Sequence, residues 1–276
     1  MMYRPGKIRT NIDQEQNLKG DLTMAKKVLV LATNYAVWAE ELQAPWDALK
    51  KAGFAVTLAT PQGKKPLPIK MSIDPDFEDS LQHYKVNPPE VCKRVHELLD
   101  GTEWNKPIKI ADAKMADYDA IVLTGGPGTP LDIDNNPKVH ALLLEAFKTN
   151  KLIGAICYAV GALAFTRNPD NNYKSIIYGK HVTAHPRAWD FDFELSYDLA
   201  GATPDNAGTN VVTPGFLLPL QDVVEDAVGP KGKVSADTKA NRKNTCVVYD
   251  WPFVTALSVE SSIDYGKKLV EVLKSK

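Results

Sequence analysis

Nowhere in the 276 residues does an apolar run approach the roughly 20 residues that a membrane-spanning helix needs. Cysteine is scarce. Three residues, Cys92, Cys157 and Cys246, are odd in number and widely spaced, which excludes a disulfide framework. They also lack the CxxC spacing of a zinc site, so a reducing cytosol is the natural setting and a cytoplasmic protein is expected. The five histidines show no ligand spacing. His181 and His185 are four apart, but on a strand that separation spans about 13 Å, too far for one ion. No metal or other cofactor is expected. Neither sign of charge dominates either: 33 Lys and Arg face 34 Asp and Glu, for a net charge of -1. That removes the basic face of a nucleic-acid binder, and neither nucleic acid nor membrane is expected as a partner. The chain has no internal repeat and no low-complexity tract. No apolar segment follows the charged N-terminus, so no secretory signal is expected.

What is present is an alternation of strand and helix. Residues 1–23 are polar, lack a hydrophobic period and read as a disordered or loosely docked extension, so one domain is expected over 24–276. Residues 28–32 form a continuous apolar run, as a strand covered on both faces requires. Leu42, Trp46 and Leu49 follow at helical spacing up to Gly53, with Pro45 either in the first turn or kinking the helix. Strands are expected at 55–59, 120–123 and 152–156. Helices are expected through Val139, Leu142, Leu143, Ala146 and Phe147, and through Val259, Ile263, Leu269, Val270 and Leu273. Such βα alternation predicts an α/β fold, a doubly wound, mostly parallel, flavodoxin-like sheet with helices on both faces. Between 63 and 107 five prolines break the rhythm around one helical piece at 90–99. This is an insertion over one end of the sheet, a lid or part of an interface.

The most informative stretch is Leu152-Ile-Gly-Ala-Ile-Cys157-Tyr-Ala-Val-Gly-Ala-Leu163. An apolar strand meets a cysteine and small residues follow at once. A nucleophile elbow has this layout, because its sharp strand-to-helix turn brings backbone against backbone. A helix N-terminus there favours thiolate over thiol. The same pattern also suits a buried core cysteine. Cys92 and Cys246, on a helical piece and a Cys-Val-Val strand, are read as structural.

Three further features end strands at the carboxyl edge, where doubly wound sheets bind ligands. Thr124-Gly-Gly-Pro-Gly128 lacks the spacing of a phosphate-binding loop, so Gly125 and Gly126 either present backbone N–H groups to an oxyanion or form an ordinary connection. Glu40 and Glu41 are either site acids or two solvated residues in a helix first turn. His185, in His181-Val-Thr-Ala-His185-Pro186, is a site residue or a satisfied surface histidine.

Together these residues resemble the ThiJ/PfpI superfamily, with its class I glutamine amidotransferase-like fold, over nearly everything from Lys26 to the end. The segments that carry the resemblance are the elbow, Leu123-Thr-Gly-Gly-Pro-Gly128, Glu41 with Pro45, and Gly179-Lys-His-Val-Thr-Ala-His185-Pro186. Thr213-Pro-Gly-Phe-Leu-Leu218 and Thr255-Ala-Leu-Ser-Val-Glu-Ser-Ser262 resemble later segments of the larger heat-shock chaperone/glyoxalase branch. The resemblance implies Cys157 as nucleophile, Glu41 as the acid in contact with it, His185 as a histidine near it, and a homodimer.

One position departs from that branch: Tyr158 stands where a histidine follows the nucleophile. A phenol with an ordinary pKa near ~10 is a poor base at neutral pH. The expected function is cysteine-dependent chemistry on a small-molecule carbonyl substrate, a glutathione-independent, glyoxalase-type conversion of a 2-oxoaldehyde to a 2-hydroxy acid. Backbone N–H groups of Gly126 and Tyr158 would hold the oxyanion, and Glu41 is expected to lie protonated against the sulfur. The alternatives are an amidase- or peptidase-like cysteine hydrolase and a stress-related holdase or cysteine redox sensor.

Overall fold

The structure, a computed structural model, describes residues 25–79, 83–190, 195–198, 210–213 and 219–276. The N-terminal extension and residues 214–218 of the later motif lie outside the described residues.

Seven strands make the central sheet: β1 (Lys27–Leu31), β2 (Ala55–Thr60), β3 (Ile108–Lys109), β4 (Ala120–Leu123), β5 (Leu152–Ile156), β6 (Val247–Asp250) and β7 (Phe253–Ala256), in the spatial order β6-β7-β5-β4-β1-β2-β3. Every pairing is parallel except β6 with β7. All of β4 and β5 is buried, as is β1 after Lys27, because helices cover both faces. Apolar runs without alternation are the consequence. The longer helices are α1 (Ala39–Lys51), α2 (Pro89–Asp100), α3 (Pro137–Lys148), α4 (Val160–Phe165), α5 (Leu220–Val228) and α6 (Ser262–Ser275).

Four details differ from the sequence expectation. Pro45 lies in the second turn of α1, not its first, so the Glu41 carbonyl loses the N–H it would otherwise accept from. Ile263 is exposed, and the face of α6 that meets the sheet is built on Tyr265, Leu269, Val272 and Leu273. The helix starts at Ser262, after a 3₁₀ turn at Val259–Ser261, and this shifts the helical phase away from Ile263. Cys246 precedes β6 instead of lying on it.

The insertion packs beside the N-terminus of α1. Leu67–Pro68 pairs in parallel with Tyr35–Val37, and Ser72 Oγ accepts the Ala39 N–H at 3.1 Å while donating to Ile69 O at 2.7 Å. Arg94 of α2 holds Asp47 of α1 through two hydrogen bonds of 2.9 Å.

The strand order reverses between β1 and β4, and the loops that leave these strands diverge there. Ligand crevices open at such a point. Here the two loops are stitched together, Trp38 N donating to Gly125 O and Gly128 N to Ala36 O, both at 3.2 Å. Among the described residues no helix is long and apolar enough to cross a membrane.

Candidate active site

Cys157 follows the last residue of β5 with a φ of 55°, in the left-handed region that a residue with a side chain occupies only under strain. A 3₁₀ turn, Cys157–Ala159, feeds directly into α4, so the side chain is raised at a strand-to-helix corner. Cys157 is 5% exposed, and Gly161, Ala162 and Ala164 behind it are fully packed.

Glu41, in the first turn of α1, brings its carboxyl against the thiol, and both groups are buried. Neither Glu41 oxygen has an N–H or O–H partner among the described residues, and the Cys157 thiol beside it pulls against the rise in its pKa. Gly125 makes the approach possible. A Cβ there would stand 2.7 Å from Cys157 Cβ and overlap Glu41 Oε2 and the Ile156 carbonyl. Gly126, at φ 116°, takes a conformation that L side chains rarely adopt. The backbone N–H groups of Gly126 and Tyr158 point at the sulfur.

Burial pushes the Glu41 carboxyl well above the ordinary carboxylate range, and nearby Glu260 and Glu40 push it further. The acid therefore holds its proton to higher pH than an ordinary carboxyl does. Burial also raises the Cys157 thiol well above its usual value, against the pull of the two N–H groups. This corrects the expectation of a thiolate stabilised by the helix N-terminus: the cost of desolvating the anion exceeds what two N–H groups return. Glu40 and Glu41 are both fully buried, so solvated first-turn acids are excluded.

His185 lies beside Tyr158, with ring centroids 5.0 Å apart, and against the edge of Trp189 at 5.3 Å. Its Nδ1 is 2.6 Å from Asp190 Oδ1, and the same oxygen accepts the Tyr158 hydroxyl. Asp190, Glu260, Tyr84 and Arg242 escaped sequence reasoning. Asp190 and Glu260 lie in or next to motifs already noted, five residues after His185 and inside Thr255–Ser262. Tyr84 and Arg242 arrive from loops that carry no local signal. Glu260 is buried and accepts the Ser261 hydroxyl at 2.7 Å; burial raises its carboxyl. Burial and the neighbouring acids push the Tyr84 phenol up to about 12. Among the described residues no group of three or more His, Cys, Asp or Glu could hold a metal ion.

Residues 26–190 match the DJ-1/PfpI family, and the chain belongs to it. A glutathione-independent glyoxalase of Schizosaccharomyces pombe, hsp3102, is 28% identical over 160 residues, 56% of this chain and 62% of that protein. The chain thus spans less than two thirds of that relative's length. Among solved structures, the 24 kDa Rapid Encystment Protein of Francisella tularensis superposes with a TM-score of 0.66 at 22% identity, over 90% of this chain and 99% of that one. Glyoxalase III of Candida albicans gives 0.57 at 17% identity, over 89% and 96%. These two show the same fold.

Proposed function

We propose that this protein is a cysteine-dependent enzyme acting on small reactive carbonyl compounds, converting a 2-oxoaldehyde to a 2-hydroxy acid without glutathione. The observation that carries the reading is the pairing of Cys157, strained at its corner, with the buried Glu41 carboxyl. The glyoxalase named above among the relatives supports it. So does the tight enclosure of the sulfur, which suits a substrate of a few heavy atoms.

In this mechanism Cys157 sulfur adds to the aldehyde carbon and the thiol proton passes to the aldehyde oxygen, which becomes the hydroxyl of a hemithioacetal. The N–H groups of Gly126 and Tyr158, which face the sulfur, are the donors available to the developing oxyanion. Glu41 and His185 then move one proton from the first carbon to the second, through an enediol, leaving a thioester beside a new hydroxyl. A carboxyl whose pKa is raised above the ordinary carboxylate range suits this shuttle, because it has a proton to donate where an ordinary acid has lost it. Water cleaves the thioester to the 2-hydroxy acid and restores the thiol. The sum is hydration of the substrate, with no external oxidant or reductant.

Methylglyoxal incubated with the pure protein, without glutathione, is expected to yield lactate. Cys157→Ala should abolish the conversion, and Glu41→Gln should retain more activity than Glu41→Leu, because an amide still donates to sulfur. Absence of lactate, or equal rates from Cys157→Ala, would remove the proposal.

A further inference from the structure

Tyr158 and His185 are bound to each other's surroundings through one oxygen. Asp190 is buried at 3% exposure, and its Oδ1 takes both the Tyr158 hydroxyl and His185 Nδ1. A carboxyl oxygen has two lone pairs and accepts both hydrogen bonds. The Nδ1 atom of His185 then carries a proton, and in the neutral ring the lone pair lies on Nε2. The ring is confined on other sides as well, by Tyr158 at an interplanar angle of 31° and by Trp189 at 73°. Asp190 itself ends the short helix Arg187–Asp190, five residues from the histidine, whereas Tyr158 lies on the elbow 32 residues earlier.

We propose that Asp190 is the positioning residue of this site: it fixes His185 in the Nδ1–H tautomer and, through the Tyr158 hydroxyl, fastens that imidazole to the residue next to the nucleophile. The histidine is thus supplied from a separate segment, and the carboxylate provides the connection that sequence adjacency to Cys157 does not. Tyr158 has no need to act as a base. Its phenol serves as a second donor that sets the place of the carboxylate. The step that uses the result, proton transfer by His185 Nε2, rests on the function proposed above, while the tautomer and its dependence on Asp190 do not.

Long-range ¹H–¹⁵N correlation of the imidazoles in the full-length protein separates the two. The expected result is a His185 pattern with Nδ1 protonated and Nε2 unprotonated. In the isosteric Asp190→Asn the amide can turn its NH₂ toward Nδ1, and the pattern should move to the Nε2–H tautomer. The rate of lactate formation should fall at least about a hundredfold through kcat, with KM little changed. Tyr158→Phe should keep the Nδ1–H pattern and lose less than about tenfold in rate, since one donor remains. A thermal melt close to wild type shows that Asp190→Asn folds. Protonated Nε2 in the wild type, or an unchanged His185 pattern in Asp190→Asn, overturns the proposal. If the tautomer shifts as expected but neither protein forms lactate, the positioning stands and the glyoxalase reading falls.

Discussion

Arg242 grips Glu40 with both arms of its guanidinium, Nη1 to Oε1 at 2.8 Å and Nη2 to Oε2 at 2.5 Å, across 202 residues of chain. Nη2 also donates to Val86 O at 2.6 Å, so a single side chain ties α1, the insertion and the loop before β6 together beside Glu41. The Glu40 side chain is fully buried, while a quarter of Arg242 stays exposed. Burial raises the Glu40 carboxyl and the guanidinium opposes that rise. Arg242→Ala removes the counter-charge and leaves Glu40 alone in the interior. A loss of about 3 kcal/mol is expected in urea denaturation. The double variant Glu40→Gln with Arg242→Met should lose less than Arg242→Ala alone, because no buried charge is stranded.

Glu41 makes stability depend on pH in a direction opposite to that of a salt-bridged acid. Its folded pKa lies above the ordinary 4.5. Below that ordinary value both states bind the proton and nothing is lost. As pH rises past it, the unfolded chain ionises while the folded chain keeps its proton, so the unfolded state binds fewer protons and folding weakens. The contribution falls by up to about 1.4 kcal/mol per pH unit until the folded pKa is passed. Chemical denaturation at successive pH values should therefore show wild type losing stability relative to Glu41→Gln above pH 4.5. A constant difference would mean that the carboxyl ionises normally.

Cys157 should titrate as a thiol. Thiolate absorbance near 240 nm, taken as the difference between wild type and Cys157→Ala, is expected to develop only above the ordinary cysteine range, since burial raises this group. Alkylation by iodoacetamide should be correspondingly slow at neutral pH. Full thiolate absorbance at pH 6 would contradict this.

Gly125 tests the approach of acid to thiol. Gly125→Ala puts a methyl into Glu41 Oε2, the Ile156 carbonyl and Cys157 Cβ, and two of those three neighbours cannot rotate away. The backbone must shift. Stability should drop by about 1–3 kcal/mol, the cost of overpacking. Lactate formation should fall further than stability explains, because the displaced wall is the site itself. A variant as active and stable as wild type would show that the loop has slack.

Much of the frame was legible because its signals are local. Apolar runs at 28–32, 120–123 and 152–156 correspond to buried parallel strands, and the small residues after Cys157 mark a tight corner that φ 55° bears out. Helix phase was less legible: Ile263 and Tyr265 both suit an apolar stripe, and only the start of α6 at Ser262 decides which faces the sheet.

By itself, then, the sequence determined the alternation of buried strands and helices through 28–156, the doubly wound sheet and the carboxyl edge at which Cys157 and Gly125 follow their strands. The strands Ile108–Lys109 and Phe253–Ala256 and the helix Leu220–Val228 were seen only in the structure. Only the tertiary structure decided the burial and partners of Cys157 and Glu41. Whether Glu41 is a solvated acid or a buried one depends on what surrounds it, and its neighbours Gly125, Cys157 and Glu260 come from distant segments of the chain. Where the Tyr158 hydroxyl is held depends on Asp190, 32 residues away. Periodicity and spacing report the surroundings of a residue along its own element. Desolvation and hydrogen bonding depend on every atom within a few ångströms, wherever in the chain it originates.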